Sequence, residues 1–507
     1  MLATLLLCAL TPFFAPLQQR AEDRTQAFAG DWMTGFGPLK LVVQGTNIAG
    51  TYGWANDSRV EGQLDGERFA FRWSGPSGRG DGWFALWKDG RTFSGEYTFG
   101  GGRDYWGGYR RAPRRAEVQP GIVTDGQSTS GLEYHLRVPK DFDPKKRWTA
   151  LALFHGSNAN SRDYVEGFPG NWPKLADRYI LVGFDGERLS PASREGLRTF
   201  NSSYVEFSGH DVGEPWRKNQ TPWLVAQALD ELAHELPIER WYASGHSQGA
   251  FLTLALAMFY PERVAGVIEV AGNLLVQCEP SCFADEQVRA AQRRVPIALV
   301  HGEKDTVVDF SAATYTFDCL DDGGFPALRL FSAENIGHPW AFLPLDHALD
   351  WLDALTSPDP KGLLEFARGS IAAEAWRDAS VALQRARELS QDPAHLKLAA
   401  ELAAVLDAAA TKAAEPLARA IAADENAKWV DDFWSFRARF GLTPAAAGVL
   451  KAYLKLRATH EKPAEERFNR ARAEPNPTQK QALYREIVER YYASRWYRLV
   501  KSWLKSS

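Results

Sequence analysis

The chain has 507 residues, 45% hydrophobic and 24% charged, which excludes a disordered polypeptide and is too long for one compact domain. Its net charge of −4 argues against a general nucleic-acid binder.

Met1–Leu17 is an apolar run followed by the polar Gln18-Gln19-Arg20-Ala21-Glu22-Asp23-Arg24. It is too short to span a bilayer and suits a signal-peptide core, although no basic residue precedes it. Residues 1–24 are therefore expected to be a signal peptide, and the protein to be exported to the periplasm or beyond the cell. No other stretch is apolar for long enough to span a membrane. Of the four cysteines, Cys8 falls in this leader, which leaves Cys278, Cys282 and Cys319 with at most one disulfide and a spare thiol. Cys278-Glu-Pro-Ser-Cys282 could close a small loop, and no His/Cys set shows zinc-ligand spacing.

Residues 29–112 consist of short alternating runs broken by glycine, such as Phe69-Ala70-Phe71-Arg72-Trp73, recurring every ten or so positions. They predict a small antiparallel β domain, a barrel or a sandwich, with hairpins at Asp-Gly turns. Six of the 18 tryptophans lie here. They read as an aromatic core rather than a sugar- or polymer-binding face. Arg111–Pro120 has the composition of a linker.

Residues 121–356 alternate near-continuous apolar strands with helices. The strands are expected at Leu132–Val138, Thr149–Phe154, Ile180–Phe184, Trp241–Ser244, Gly266–Val270, Ile297–Val300 and Leu328–Phe331. The helices are expected at Pro222–Glu235, Gln248–Phe259, Asp285–Arg293 and Trp340–Leu355. This is the pattern of a mainly parallel sheet covered on both faces, with its site at the carboxyl ends of the strands. Residues 360–507 are Ala-rich with apolar spacings of three and four, an all-α region faintly like tetratricopeptide helix pairs but without a fixed repeat. Residues 451–507 hold fourteen Lys/Arg against six Glu, about +8, leaving about −12 elsewhere. That basic end offers a surface for docking a protein or a polymer, or is simply a solvated helical face.

Chemistry concentrates at Ser244-Gly245-His246-Ser247-Gln248-Gly249-Ala250, where an apolar strand runs into a helix. This is the Gly-x-Ser-x-Gly elbow, a strained turn that exposes a serine at the top of a sheet. Gly245 and Gly249 leave room for strand and helix to pass closely. A serine is a weak nucleophile until a base takes its proton. The partners of such an elbow follow it in the order acid, histidine. Asp305 follows the strand ending in His301-Gly302-Glu303-Lys304, and Asp309 is the alternative acid or else the cap of a helix starting near Ser311. His338 lies in the loop Glu334-Asn335-Ile336-Gly337-His338-Pro339-Trp340 after the last strand, where Gly337 is expected to let the chain bend. His246 and His301 flank these positions, and His347 falls mid-helix. Two backbone N–H groups should face a developing oxyanion, one from Gln248 and one from His155-Gly156-Ser157-Asn158, where Ser157 is the choice. Trp340, Trp216 and Trp172 are candidates for a substrate pocket and equally for packing.

The motifs Phe154-His-Gly-Ser, Ser244-Gly-His-Ser-Gln-Gly-Ala, His301-Gly-Glu-Lys-Asp and Gly337-His-Pro-Trp resemble the α/β-hydrolase superfamily. Within it they resemble secreted feruloyl-esterase, polyhydroxyalkanoate-depolymerase and dienelactone-hydrolase-like esterases. The resemblance covers under half the chain and departs from the pattern at the insertion Arg188–Gln220. It implies a secreted carboxylic ester hydrolase with Ser247 as nucleophile, Asp305 as acid, His338 as base and Ser157 and Gln248 as oxyanion donors. Its substrate would be a small-molecule or polymeric ester, with no metal or organic cofactor needed. An oligopeptidase-type peptidase and a catalytically silent binding protein are the alternatives.

Overall fold

The computed structural model describes residues 24–189, 197–200, 220–273, 294–423 and 428–506. Its contacts divide the chain into two units, one running as far as Trp241 and the other from Tyr242 onward.

The first unit opens with β1 (Gly30–Thr34), β2 (Gly37–Gln44), β3 (Asn47–Tyr52), β4 (Ser58–Asp65), β5 (Arg68–Gly75), β6 (Gly78–Leu86), β7 (Thr92–Phe99) and β8 (Gly102–Arg110). Each pairs antiparallel with the next. β1 then closes on β8 through Trp32↔Arg110, Met33↔Tyr109 and Thr34↔Gly108. The expected small β domain is thus specifically a closed eight-stranded barrel. Alternation decides what fills it: on β5, Phe69, Phe71 and Trp73 are buried while Arg68, Ala70 and Arg72 are exposed. Phe84 is fully buried, its ring centroid 4.2 Å from Phe93, 4.4 Å from Phe71 and 5.0 Å from Trp106. Rings this large need bare backbone nearby: a Cβ on Gly82 would stand 2.5 Å from the Phe71 ring. Trp32, Trp73 and Trp106 join this core, as the packing reading expects, whereas Trp54, Trp83 and Trp87 are only partly buried.

Four strands follow in the same unit: β9 (Val123–Gln127), β10 (Glu133–Arg137), β11 (Trp148–Phe154) and β12 (Ile180–Phe184). β11 and β12 are parallel, β10 is antiparallel to β12, and β9 is antiparallel to β10. Helix α1 (Ser161–Asn171) was not foreseen; Asn160 caps it by accepting from Asp163 N–H. A short hairpin, β13 (Arg188–Leu189) with β14 (Arg198–Thr199), and helix α2 (Gln220–Glu235) complete the described part.

β15 (Ile238–His246) begins in the first unit and ends in the second. In the second, β15, β16 (Gly266–Val270), β17 (Ile297–Gly302) and β18 (Leu328–Ala333) lie side by side, all parallel. β16 is buried at every position, which explains its unbroken apolar spelling apart from Glu269. Helix α3 (Gln248–Phe259) is buried from Gly249 to Met258, so it has no polar face. Helix α4 (Phe310–Asp322) follows β17, capped by Asp309 accepting from Ser311 N–H. The single helix expected over Trp340–Leu355 is broken: a short 3-10 turn, Trp340–Phe342, precedes α5 (Leu345–Leu355). Pro344 stands between them, without an N–H to continue the ladder. The helix expected at Asp285–Arg293 lies outside the described residues, as do Cys8, Cys278 and Cys282. Cys319 is a buried thiol on α4.

The chain then becomes helical, as its periodicity indicates: α6 (Pro360–Ala372), α7 (Trp376–Leu389), α8 (Pro393–Ala423), α9 (Trp429–Phe440), α10 (Ala446–Ala473), α11 (Pro477–Arg490) and α12 (Trp496–Ser506). Two starts show the same device: Asp359 and Asn476 cap helices that begin with proline. An aromatic core holds α9 and α10 together, with Phe433 stacked on Tyr453 at 3.8 Å. These helices close on α4 through arginine. Arg377 and Arg437 reach Asp321 at 2.7 and 2.5 Å, Arg457 reaches Asp322 at 2.7 Å, and Arg498 reaches Asp318 at 2.5 Å. Among the described residues no helix is long and apolar enough to cross a membrane.

Candidate active site

Ser247 stands at the turn between β15 and α3 with φ 53° and ψ −114°. A non-glycine residue held there stores about 1–3 kcal/mol of strain, which the surrounding structure must sustain. Its N–H bonds Val270 O at 2.9 Å, fastening the turn to the neighbouring strand. The glycine argument from the sequence holds: a Cβ on Gly245 would stand 2.0 Å from Gly249 O. Ser247 makes no side-chain capping bond to α3 and is half-buried, so its hydroxyl is presented rather than consumed.

Asp305 and His338 come together in the same unit. His338 Nδ1 is 2.7 Å from Asp305 Oδ2. The other oxygen of Asp305 accepts from Val307 N–H and Val308 N–H at 2.8 and 2.9 Å. Burial pushes the Asp305 carboxyl upward; hydrogen bonds from His301, His338 and these amides outweigh it and hold the group well below the usual carboxylate range. The two loops meet through backbone. Lys304 N–H bonds Ile336 O at 2.8 Å, and a Cβ on Gly302 would stand 2.3 Å from Gly337 O. Here the sequence reading needs correction. Gly337 itself has room for a Cβ, its nearest neighbour 3.5 Å away, and the positive φ of this loop, 63°, belongs to Asn335. The glycine that the geometry demands is Gly302.

Asp309, the alternative acid, caps α4 and bonds Ser311 N–H at 2.8 Å. His347 is exposed on α5. The two flanking histidines do more than the sequence disclosed. His246 donates from Nε2 to His338 O at 2.8 Å, tying the residue before the serine to the loop of the second histidine. Burial lowers its pKa to about 4, so it is a neutral donor. His301 lies 3.4 Å from Asp305 Oδ2 and donates to Val308 O at 2.8 Å, from beneath the acid loop. Behind it is Glu269, fully buried on β16; burial pushes its carboxyl to about 7, against the pull of His301. A polar residue near the end of an all-apolar strand was the signal available for both.

In the first unit, Ser157 is exposed on the loop after β11, beside Asn158 at φ 57°. That loop is anchored by His155, buried and kept neutral by burial, which donates to Gly156 O and accepts from Gly186 N–H at 3.0 Å. Asp185 then holds Ser161 N–H at 2.7 Å. It also meets His135 Nε2 at 3.2 Å, while His135 Nδ1 meets Asp125 at 2.7 Å. Burial opposes the charge on His135; the two carboxylates prevail and raise its pKa to about 9. Gln248 is the first residue of α3, with its N–H at the helix N-terminus. Trp172 is buried with its ring on Phe168, and Trp340 is buried two residues after His338; Trp216 lies outside the described residues. Among the described residues no group of three or more His, Cys, Asp or Glu could hold a metal ion.

A serine on a strand–helix elbow of parallel strands, followed by an acid and a histidine after the next strands, marks the central region as an α/β-hydrolase. A family model described as Phospholipase/Carboxylesterase matches residues 219–323. Acyl-protein thioesterase 1 of Eremothecium gossypii is 30% identical over 224 residues, 43% of this chain and 92% of that protein. Dipeptidyl-peptidase 5 of Porphyromonas gingivalis is 27% identical over 252 residues, 43% of this chain but 35% of that protein. Among solved structures, an acetyl xylan esterase from Aspergillus awamori has a TM-score of 0.35 at 14% identity, covering 46% of this chain and 99% of its own. The chain belongs, through its central region, to the phospholipase/carboxylesterase family.

Proposed function

We propose that this chain is a serine hydrolase of carboxylic esters or thioesters, acting through Ser247, His338 and Asp305. The observation that carries the reading is the 2.7 Å contact of His338 Nδ1 with Asp305, with the His338 backbone tied to the residue before Ser247. Ser247 Oγ attacks the carbonyl carbon as its proton passes to His338 Nε2. Asp305 keeps a proton on Nδ1 and stabilises the imidazolium. The N–H of Gln248, the residue after the nucleophile, receives the oxyanion, a donor of this kind contributing roughly a hundredfold or more in rate. Collapse of the adduct returns the proton to the departing alcohol or thiol and leaves the acyl group on Ser247. A water deprotonated by His338 then releases the acid. Thioesters enter the reading because relatives carry the name acyl-protein thioesterase. Trp340, close to His338 in sequence, is the tryptophan that fits a substrate-facing role best. The apolar leader supports export, which N-terminal sequencing of protein from the periplasm or medium would check.

The test is a ladder of p-nitrophenyl acyl esters, feruloyl methyl ester and an S-acyl thiol, assayed on the native protein and on Ser247→Ala. Turnover that vanishes in the variant supports the reading; turnover that survives overturns it. The dipeptidyl-peptidase relative favours a second reading, amide cleavage on the same residues. Faster release from aminoacyl anilides than from any ester would establish it. A folded protein that fluorophosphonate fails to label at Ser247 would instead be a binding protein.

A further inference from the structure

We propose that the last helix of the chain is part of the catalytic apparatus: Trp503 on α12 positions the loop that presents Asp305. The inference rests on the reading of Asp305 as the acid partner of His338.

Asp305 is at one end of a short loop and Asp309, which caps α4, at the other. The Asp305 end is fixed by its own bonds to Val307 and Val308 and by His301 under Val308. The Asp309 end is fixed by Ser311, which gives both its N–H, at 2.8 Å, and its hydroxyl, at 2.5 Å, to Asp309 Oδ1. A serine hydroxyl that donates to a carboxylate has its oxygen left to accept, and the donor it receives is Trp503 Nε1 at 3.1 Å. The chain of bonds therefore runs from Trp503 through Ser311 and Asp309 into the acid loop.

Trp503 is a firm origin for that chain. Its ring rests on Phe468 of α10 at 5.8 Å and Tyr484 of α11 at 5.5 Å. The rest of α12 is fastened to the same helix α4, with Arg498 on Asp318 at 2.5 Å and Trp496 stacked on Tyr315 at 6.0 Å. The helical region thus grips α4 along its length, and α4 begins five residues after Asp305, the residue that must hold the imidazole in place. Small misplacements at such a group are costly, because catalysis depends on near-attack geometry.

The test is Trp503→Phe, which keeps the ring and removes the donor, measured beside Ser311→Ala, the double variant and a control. The control is Lys501→Ala, which breaks another anchor of α12, its 2.5 Å pair with Asp431, without touching α4. Trp503→Phe is expected to lower kcat for the best ester about fivefold, the rate equivalent of one neutral hydrogen bond of about 1 kcal/mol. KM should stay within twofold, and fluorophosphonate labelling of Ser247 should slow by the same factor as kcat. Ser311→Ala, which also removes the hydroxyl's bond to Asp309, should lose at least as much, and the double variant should add nothing to the Ser311→Ala loss, since Trp503 then has no acceptor left to lose. Lys501→Ala should leave kcat unchanged. A Trp503→Phe enzyme with native kcat overturns the inference, as does a loss matched by Lys501→Ala and accompanied by a lower Tm. If Ser247→Ala retains turnover, the reading of the active site fails first; if it abolishes turnover while Trp503→Phe is native, only the role of α12 fails.

Discussion

Replacing Asp305 by asparagine isolates the charge and the tautomer while keeping the shape. In the native site one oxygen takes two amide protons, from Val307 and Val308, and the other takes His338 Nδ1–H. An asparagine has one carbonyl oxygen and cannot serve both. The two amide donors claim it, which turns the NH2 toward His338. Nδ1 must then accept, so the imidazole proton moves to Nε2 and the ring can no longer take a proton from Ser247. A wrong tautomer of this kind costs roughly 10³–10⁴ in kcat, about 4–5.5 kcal/mol of barrier. KM should change less than threefold, because the ground state of the substrate meets none of these groups. Stability offers a second reading. The Asp305 carboxyl titrates lower folded than unfolded, so its stabilisation is present above the unfolded value, near 4, and is lost as pH falls through the folded one. The stability gap between native and variant should therefore shrink on acidification. Steady-state hydrolysis of the best p-nitrophenyl ester, with urea titrations at several pH values, measures both effects. A kcat loss under tenfold in a folded Asp305→Asn protein would refute the tautomer argument.

The ion cluster of the first unit gives a prediction of opposite sign. His135 titrates near 9 against an unfolded value of 6.5, so its stabilisation is complete below pH 6.5 and lost as pH rises through 9, about 3 kcal/mol in all; urea titrations of native protein should show that loss, and His135→Gln should flatten it. Gly245→Ala places a Cβ 2.0 Å from Gly249 O, so the elbow must open; ester turnover should fall more than a hundredfold and stability by about 3 kcal/mol, checked by kinetics and calorimetry. Phe84→Ala empties the centre of the barrel and should cost about 3–5 kcal/mol, read from urea unfolding of native protein and variant.

Much of this was legible in the sequence because burial writes itself into spelling. β16 and α3 match their expected boundaries at Gly266–Val270 and Gln248–Phe259: both are buried throughout and so continuously apolar. The barrel was legible as alternation, although only the pairing of β1 with β8 decides between barrel and sandwich. The hidden parts share a cause, dependence on distant partners. Helix α1 contains Gly167, Pro169 and Gly170 and looks like a loop, yet its capping by Asn160 and the bond from Ser161 N–H to Asp185 start it. β9 reads Val-Thr-Asp-Gly-Gln, which no strand pattern selects, and exists through its ladder with β10. The bend attributed to Gly337 belongs to a close approach at Gly302, visible only once two loops are side by side. His246, His301 and Ser311 stood in plain view as residues, but their work depends on which backbone passes over each.

The closure of the barrel also governs how this module meets other chains. A sheet rolled on itself presents no unpaired strand edge, so it offers no template for a foreign strand. That protection is only as good as its seam. β1 meets β8 at three positions, whereas β7 and β8 pair at eight. Backbone amide exchange should therefore be faster at Met33 and Tyr109, on the seam, than at Gly95 and Trp106 on the β7–β8 ladder. When the seam parts, two edges appear at once, both flanked by aromatic residues, and a protein that is indifferent to its neighbours becomes adhesive.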